Sequence, residues 1–240
     1  MRSLTVAGLD LGTSGKSAIT VLRGADFNLT CLHSEAISSI NPVDLEARIE
    51  VVHGHYSPEL WIMELNGPGA VFSGYMERNR PHIPLATVDV SLAPPEEDIR
   101  LWDDAVRISN REFLNVRAAM YWILRMMMRD QKLKFLQEYP EMFAQLSVLR
   151  WDNDNARGDK IYMISKRKLR LKSNSDLDDE PFSKSPDMAD SVALACLGYA
   201  LLMQRLAEES EAVEEGPDMI PPTILGMFDI GQIGLEEAGI

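Results

Sequence analysis

The chain has 240 residues, 45% of them hydrophobic and 25% charged, which excludes a wholly disordered chain and leaves room for one sizeable core. Two distant cysteines, Cys31 and Cys196, and four scattered histidines exclude disulfides or structural zinc as the organising device, and the net charge of -13 argues against a uniformly basic, nucleic-acid-coating protein. No stretch approaches the roughly 18 consecutive apolar residues of a membrane span, and Met1-Arg2-Ser3 lacks the layout of a signal peptide, so a cytoplasmic protein without a membrane partner is expected.

LTVAGLDL (residues 4–11), SAITVLRG and FNLTCLHSEAI read as a three-stranded N-terminal meander. Asn41-Pro42 supplies an N-cap and a first-turn proline to a crossover helix carrying Val43, Leu45, Ile49 and Val52. LWIMEL (residues 60–65) is another strand, NGPG breaks it, residues 70–78 suit a helix, and IPLATVDV (residues 83–90) is again a strand. The order βαβαβ predicts an α/β fold with a mixed central sheet flanked by helices. After a polar loop around Pro94-Pro95, Asn115 to Arg129 predicts a helix with Val116, Met120, Ile123 and Met127 inward and Arg117, Arg125 and Arg129 on its outer face. A further helix is expected over residues 141–150, and KIYMISKRKLRLK alternates like a strand or strand pair. Ser185-Pro186 caps a last helix from Asp187 to about Ala207. The chain thus divides into one domain over residues 1–207 and an acidic, flexible tail over 208–240.

Charge is segregated along the chain. Residues 157–172 hold seven bases (Arg157, Lys160, Lys166, Arg167, Lys168, Arg170 and Lys172) against Asp159 alone, whereas residues 208–218 hold six acids and no base. The basic run is a candidate surface for polyanion phosphates, because their binding depends on Lys and Arg displacing counterions.

Gly15-Lys16-Ser17 matches the end of a phosphate-binding loop, but residue 10 is Asp where that loop needs its first Gly, and Lys16-Ser17 leads into a strand instead of a helix. GLDLGTSGKSAITV also resembles the first phosphate motif of the actin-like sugar kinases, which makes an ATP-dependent small-molecule kinase fragment the alternative reading. Nothing after residue 70 supplies the second phosphate motif or the adenosine motif of that family.

Three acids stand at element ends. Asp10 closes the first strand, Glu64 closes an apolar strand where a lone carboxylate is costly unless paired or bound to a cation, and Asp187 opens the last helix with Asp190 one turn on, on the same face. Carboxylates gathered from separate elements repel one another, and their hard oxygens suit Mg²⁺ or Mn²⁺. The set resembles that of the ribonuclease-H-like nucleases, Holliday-junction resolvases among them. The resemblance sharpens when GLDLGTSGKSAITVLRG, WIMELNGPGAVFSGYMER, FLNVRAAMYWILRMMMRD, KIYMISKRKL and SPDMADSVALA are taken in order: together they resemble the nuclease domain of tailed-bacteriophage terminase large subunits over most of residues 4–200.

That resemblance implies a ribonuclease-H-like fold and a metal-dependent endonuclease that cuts concatemeric viral DNA during genome packaging, with two divalent cations, Mg²⁺ or Mn²⁺. Asp10, Glu64 and Asp187 match the family's metal-binding acids, with Asp190 as a fourth ligand or supporting group; Pro186 stands where many relatives carry an acid or a histidine. Lys166 matches a lysine near the acids and is a candidate to stabilise scissile-phosphate charge. Lys160, Lys166, Arg167, Lys168, Arg170, Lys172 and Arg117 are the candidate DNA contacts, and Tyr121 with Trp122 either lines the DNA path or packs in the core. Asn66 with Gly67 and Gly69 shapes the turn after Glu64. Double-stranded DNA, a terminase ATPase domain or subunit, the portal and the small terminase are the implied partners, in the host cytoplasm. No ATPase activity is expected of these 240 residues.

Overall fold

The computed structural model describes residues 2–12, 16–39, 41–95, 98–102, 107–109, 111–154, 159–164 and 187–215. Strands β1 (Leu4–Leu11), β2 (Ser17–Ala25) and β3 (Asn28–Ile37) form the antiparallel meander expected from their apolar runs. Helix α1 (Pro42–Tyr56) crosses to β4 (Leu60–Glu64), parallel to β1, and α2 (Pro68–Asn79) crosses to β5 (Leu85–Val88), parallel to β4. After the short strands β6 (Ile99–Arg100) and β7 (Arg107–Ile108) comes α3 (Val116–Arg129), and β8 (Leu133–Phe135) then pairs parallel with β3. The main sheet runs β5-β4-β1-β2-β3-β8. Helix α4 (Pro140–Ser147), a hairpin of β9 (Trp151–Asp154) and β10 (Lys160–Met163), and the long helix α5 (Asp187–Glu215) complete the described chain. Among the described residues, no helix is long and apolar enough to cross a membrane.

Strand periodicity splits the interior into two cores. Ala7, Leu9, Ile19, Val21, Trp61 and Met63 face α1 and α2, together with Leu45, Ile49, Phe72 and Met76. The alternate set, Leu4, Val6, Ala18, Leu22, Leu60 and Ile62, faces α3 and α5. Helix α1 starts where expected because the Asn41 side chain accepts the Val43 N–H and Pro42 needs no partner for a missing donor, and it stops at Ser57 in the left-handed conformation (φ 48°). Asn115 caps α3 in the same way, accepting the Ala118 N–H at 3.0 Å.

The position of α5 is set by small residues. A Cβ on Gly8 would lie 2.0 Å from the Ser191 carbonyl oxygen and 2.6 Å from the Ala195 nitrogen, and one on Gly198 would lie 2.8 Å from Ile62 Cγ2. The helix therefore rests directly on β1 and β4, burying Ala189, Ala193, Ala195, Cys196 and Ala200 completely.

Four expectations need correction. The helix expected over residues 141–150 ends at Ser147, and Trp151–Asp154 is instead a strand paired with β10, where Trp151 packs edge-on against Trp122 at 5.5 Å. Strands β6 and β7 lie where a polar loop was expected, and β8 where no element was assigned; each is two or three residues long and carries too short a pattern to read. The last helix runs past Ala207 to Glu215, so the first part of the acidic segment is helical, consistent with the helix propensity of its Glu and Ala residues. Arg117 does not share an outer face with Arg125 and Arg129: its side chain is 18% exposed and turned toward α5. Of the expected basic strand, Lys160 lies in β10, while Lys166, Arg167, Lys168, Arg170 and Lys172 lie outside the described residues, as do Ser185, Pro186 and the remainder of the acidic tail.

Gly8→Ala should lower stability by about 1–3 kcal/mol or more, because the added methyl must push α5 off β1. Gly54→Ala, in α1 with nothing within 4 Å of its added Cβ, should instead raise it by about 0.5–1 kcal/mol. Urea denaturation of both variants checks the contrast.

Candidate active site

The parallel register of β1 and β4 pairs Leu9 with Met63, so Asp10 and Glu64, one residue further on, stand at the same end of the two neighbouring strands. Both belong to the alternation that faces α5, in line with Gly8 on β1 and Ile62 on β4. The first turn of α5 sits over this strand end. A Cβ on Gly12 would lie 3.2 Å from Asp187 Oδ2, and Asp187 Oδ1 is buried without a hydrogen-bond partner among the described residues. Asp10, Asp187 and Asp190 are all at least 96% buried, and Glu64 is half-buried.

Asp190, fully enclosed, is held from α3. Its Oδ1 accepts the Tyr121 hydroxyl at 2.6 Å and pairs with Arg117 Nη2 at 2.8 Å, while the guanidinium carbon lies 5.4 Å from the Tyr121 ring centre. Burial works against the Arg117 charge, yet Asp190, Tyr121, Glu64 and Asp10 outweigh it and hold the guanidinium pKa above its ordinary value. Burial, followed by the Asp190 charge, likewise raises the Tyr121 hydroxyl well above the usual phenol range, so it stays a donor. Arg117 is thus paired directly with Asp190. Among the described residues no three acids are already closed into a metal-holding group.

Two supports fix the start of α5. Gln145 of α4 accepts the Ala189 N–H at 3.0 Å, satisfying one of the unpaired donors of the first turn. Ser191 Oγ donates to the Met188 carbonyl at 2.9 Å, so it must accept from Thr20 Oγ1 at 2.7 Å, and Thr20 in turn accepts from Ser34 at 2.9 Å. This buried hydroxyl chain ties β3, β2 and α5 together beneath the acids. Lys16, at the edge of the same strand end, reaches Glu141 of α4 at 3.8 Å.

The segment after Glu64 is a compact turn. Gly67 has φ 64°, and a Cβ on Gly69 would lie 1.9 Å from the Glu64 carbonyl oxygen, so both glycines are required by the backbone. Asn66 Nδ2 donates to Asp89 Oδ1 at 2.9 Å, and Asp89, its pKa lowered first by the Ser91 hydroxyl, joins the end of β5 to this turn. Asn66 therefore has the turn-shaping role expected of it, whereas Asp89, Thr20, Ser191 and Gln145 carried no motif that marked them. Trp122, partly buried, packs between Phe113 and Trp151 against the core. Lys160 opens β10, whose Ile161 bridges to Phe113 ahead of α3. Ser17 opens β2, not a helix, in keeping with the exclusion of a phosphate-binding loop.

The architecture matches solved structures. The nuclease domain of the large terminase subunit gp2 of bacterial virus Sf6 superposes with a TM-score of 0.62 at 16% identity, covering 80% of this chain and 87% of that one. The fold is that of phage terminase nuclease domains. The large terminase nuclease of thermophilic phage G20c (TM-score 0.54, 13% identity, 80% of this chain and 81% of that one) and the nuclease domain of Thermus phage P74-26 (0.52, 13%, 80% and 78%) share it. The Sf6 domain has been solved with manganese and with calcium, and the G20c nuclease with magnesium and with cobalt. No protein-family model and no curated protein matches the sequence.

Tyr121→Phe keeps the ring but deprives Asp190 of a buried donor, and should cost about 1–3 kcal/mol in chemical denaturation.

Proposed function

We propose that this chain is a divalent-metal-dependent DNA endonuclease of the kind that cuts concatemeric viral DNA during genome packaging. What supports this reading is a fold shared with phage terminase nucleases, on which Asp10 and Glu64 stand at the same end of neighbouring parallel strands and the start of α5, carrying Asp187 and Asp190, lies beside Gly12.

The residues fit a hard divalent cation. They offer carboxylate oxygens from three separate elements, and the buried, unbonded Asp187 Oδ1 is an acceptor suited to a cation. Asp10, Glu64 and Asp187 would hold two Mg²⁺ or Mn²⁺ ions, with Asp190 beside them. The chemistry such a group would supply there is activation of a water and charge stabilisation at the departing 3′ oxygen of a phosphodiester.

The chain's own residues do the rest. The strand register holds Asp10 and Glu64 at a fixed spacing, and the Gly67–Gly69 turn clears space after Glu64. The hydroxyl chain and Gln145 set the depth and angle of the α5 terminus, whose helix dipole adds positive potential at the acids. Lys160, Lys166, Arg167, Lys168, Arg170 and Lys172 are proposed to run along the duplex phosphates, with Lys166 nearest the scissile one. Arg117, bound to Asp190, belongs to the acidic site and not to that DNA path. The same reading places residues 1–207 in the nuclease domain, makes the acidic tail an appendage, and assigns motor work to a terminase ATPase acting with portal and small terminase in the host cytoplasm.

Supercoiled plasmid incubated with the protein should be nicked and linearised with Mg²⁺ or Mn²⁺ and left intact with EDTA. Asp10→Ala and Asp187→Ala, folded by circular dichroism, should each lose activity by about 100-fold or more. Cutting that persists in both folded variants, or in EDTA, would overturn the assignment.

A further inference from the structure

The hairpin of β6 and β7 opposes like charges. Its register sets Arg100 directly across from Arg107, so the two side chains leave the same face, and a like-charged pair in that position destabilises an antiparallel sheet. Asp98 reaches Arg107 at 3.7 Å, whereas Arg100 and Arg111 are exposed and have no ion pair among the described residues. All three arginines line one cavity of about 660 Å³ against α5, within the size of small-ligand sites. Much of the remaining lining is apolar: Phe27, Leu101, Met203 and Ala207, with Phe27 packed edge-on against Tyr199 at 5.5 Å. In the same wall Gln204 donates from Nε2 to Glu208 at 3.2 Å, and its Oε1 is buried with no hydrogen-bond partner among the described residues. A buried amide oxygen without a donor is costly. Gln204 lies about 21 Å along α5 from Asp190 at the helical rise per residue, and the cavity shares no lining residue with the acidic site.

We propose that this cavity binds a nucleoside diphosphate or triphosphate. Arg100 and Arg111 take the phosphates, for which the planar guanidinium fork is suited, and the bound anion offsets the opposition of Arg100 and Arg107. The base lies against Phe27 and Met203, and an exocyclic amino group gives Gln204 Oε1 the donor it lacks. Asp98 and Glu208, the acids of the lining, are each engaged by a neighbour, Arg107 and Gln204, so the two unpaired arginines set the sign of the site. A single carboxylate brings one charge to two unpaired guanidiniums, and a bare phosphate leaves the apolar wall and Gln204 unanswered. A nucleotide supplies several charges, an aromatic body and an amino donor together.

The test is calorimetric titration of the whole chain with ADP in EDTA, paired with thermal unfolding, on wild type, Arg100→Gln, Arg111→Gln and an Asp187→Ala protein shown to be folded by circular dichroism. Wild type should bind one ADP per chain and gain in Tm on binding. Arg100→Gln and Arg111→Gln should each weaken ADP binding on the order of tenfold. Without ADP, Arg100→Gln should melt no lower than wild type, because it removes the charge opposite Arg107. Asp187→Ala should bind ADP as wild type does, and pyrophosphate and adenosine, each offering one part of the ligand, should bind on the order of tenfold more weakly than ADP. No saturable ADP binding by wild type would overturn the proposal, as would binding unchanged in both arginine variants. Pyrophosphate bound as tightly as ADP would reduce the cavity to a plain anion site, and ADP binding lost in folded Asp187→Ala would move the nucleotide to the acidic strand end; either result overturns it. Because metal is withheld, all of these outcomes leave the nuclease reading untouched.

Discussion

Repulsion among carboxylates is the constraint around which the acidic end of this sheet is built. Asp10 and Glu64 end adjacent parallel strands, and Asp187 and Asp190 descend on them from α5. Like charges at such spacing, with little water to screen them, would force the elements apart unless cations intervene. Arg117 pairs with Asp190 from α3, and carboxylate oxygens are chemically suited to divalent ions. Carboxylates brought to one end of the sheet are costly to fold, and their hard oxygens are of the type that suits divalent ions.

Holding this arrangement requires α5 to come very near β1, and the chain achieves it by omission of side chains. Gly8 and Gly198 remove bulk where helix and strand meet, and the alanines between them let the helix lie flat on the sheet. Serine and threonine hydroxyls then lock the register: Ser34, Thr20 and Ser191 form a chain whose donors are fully accounted for. Gln145 completes the helix start. A displacement of α5 by one methyl group would be felt at Asp187 and Asp190, the helix's own contribution to the site.

Much of this could be read in the sequence because the relevant signals are local. The apolar runs of β1, β2, β3 and β4, the Asn41-Pro42 start of α1 and the Asn115 cap each report their own element, and strand-end acids such as Asp10 and Glu64 stand out against apolar neighbours. What escaped detection depends on partners far away in the chain. Arg117 looked like one of three outward arginines, since nothing near it reveals that Asp190, 73 positions later, lies across from α3. Trp151-Asp152-Asn153-Asp154 carries no strand pattern of its own and is a strand because β10 pairs with it, with Trp122 packed against its tryptophan. The continuation of α5 to Glu215 reflects helix propensity persisting after the apolar pattern fades.

The most direct measurement is the anomalous difference map of crystals of the protein grown with Mn²⁺. The account predicts manganese density between Asp10, Glu64 and Asp187, at the carboxyl ends of β1 and β4 under the first turn of α5. Density elsewhere on the molecule, or none at this strand end at saturating Mn²⁺, would contradict it.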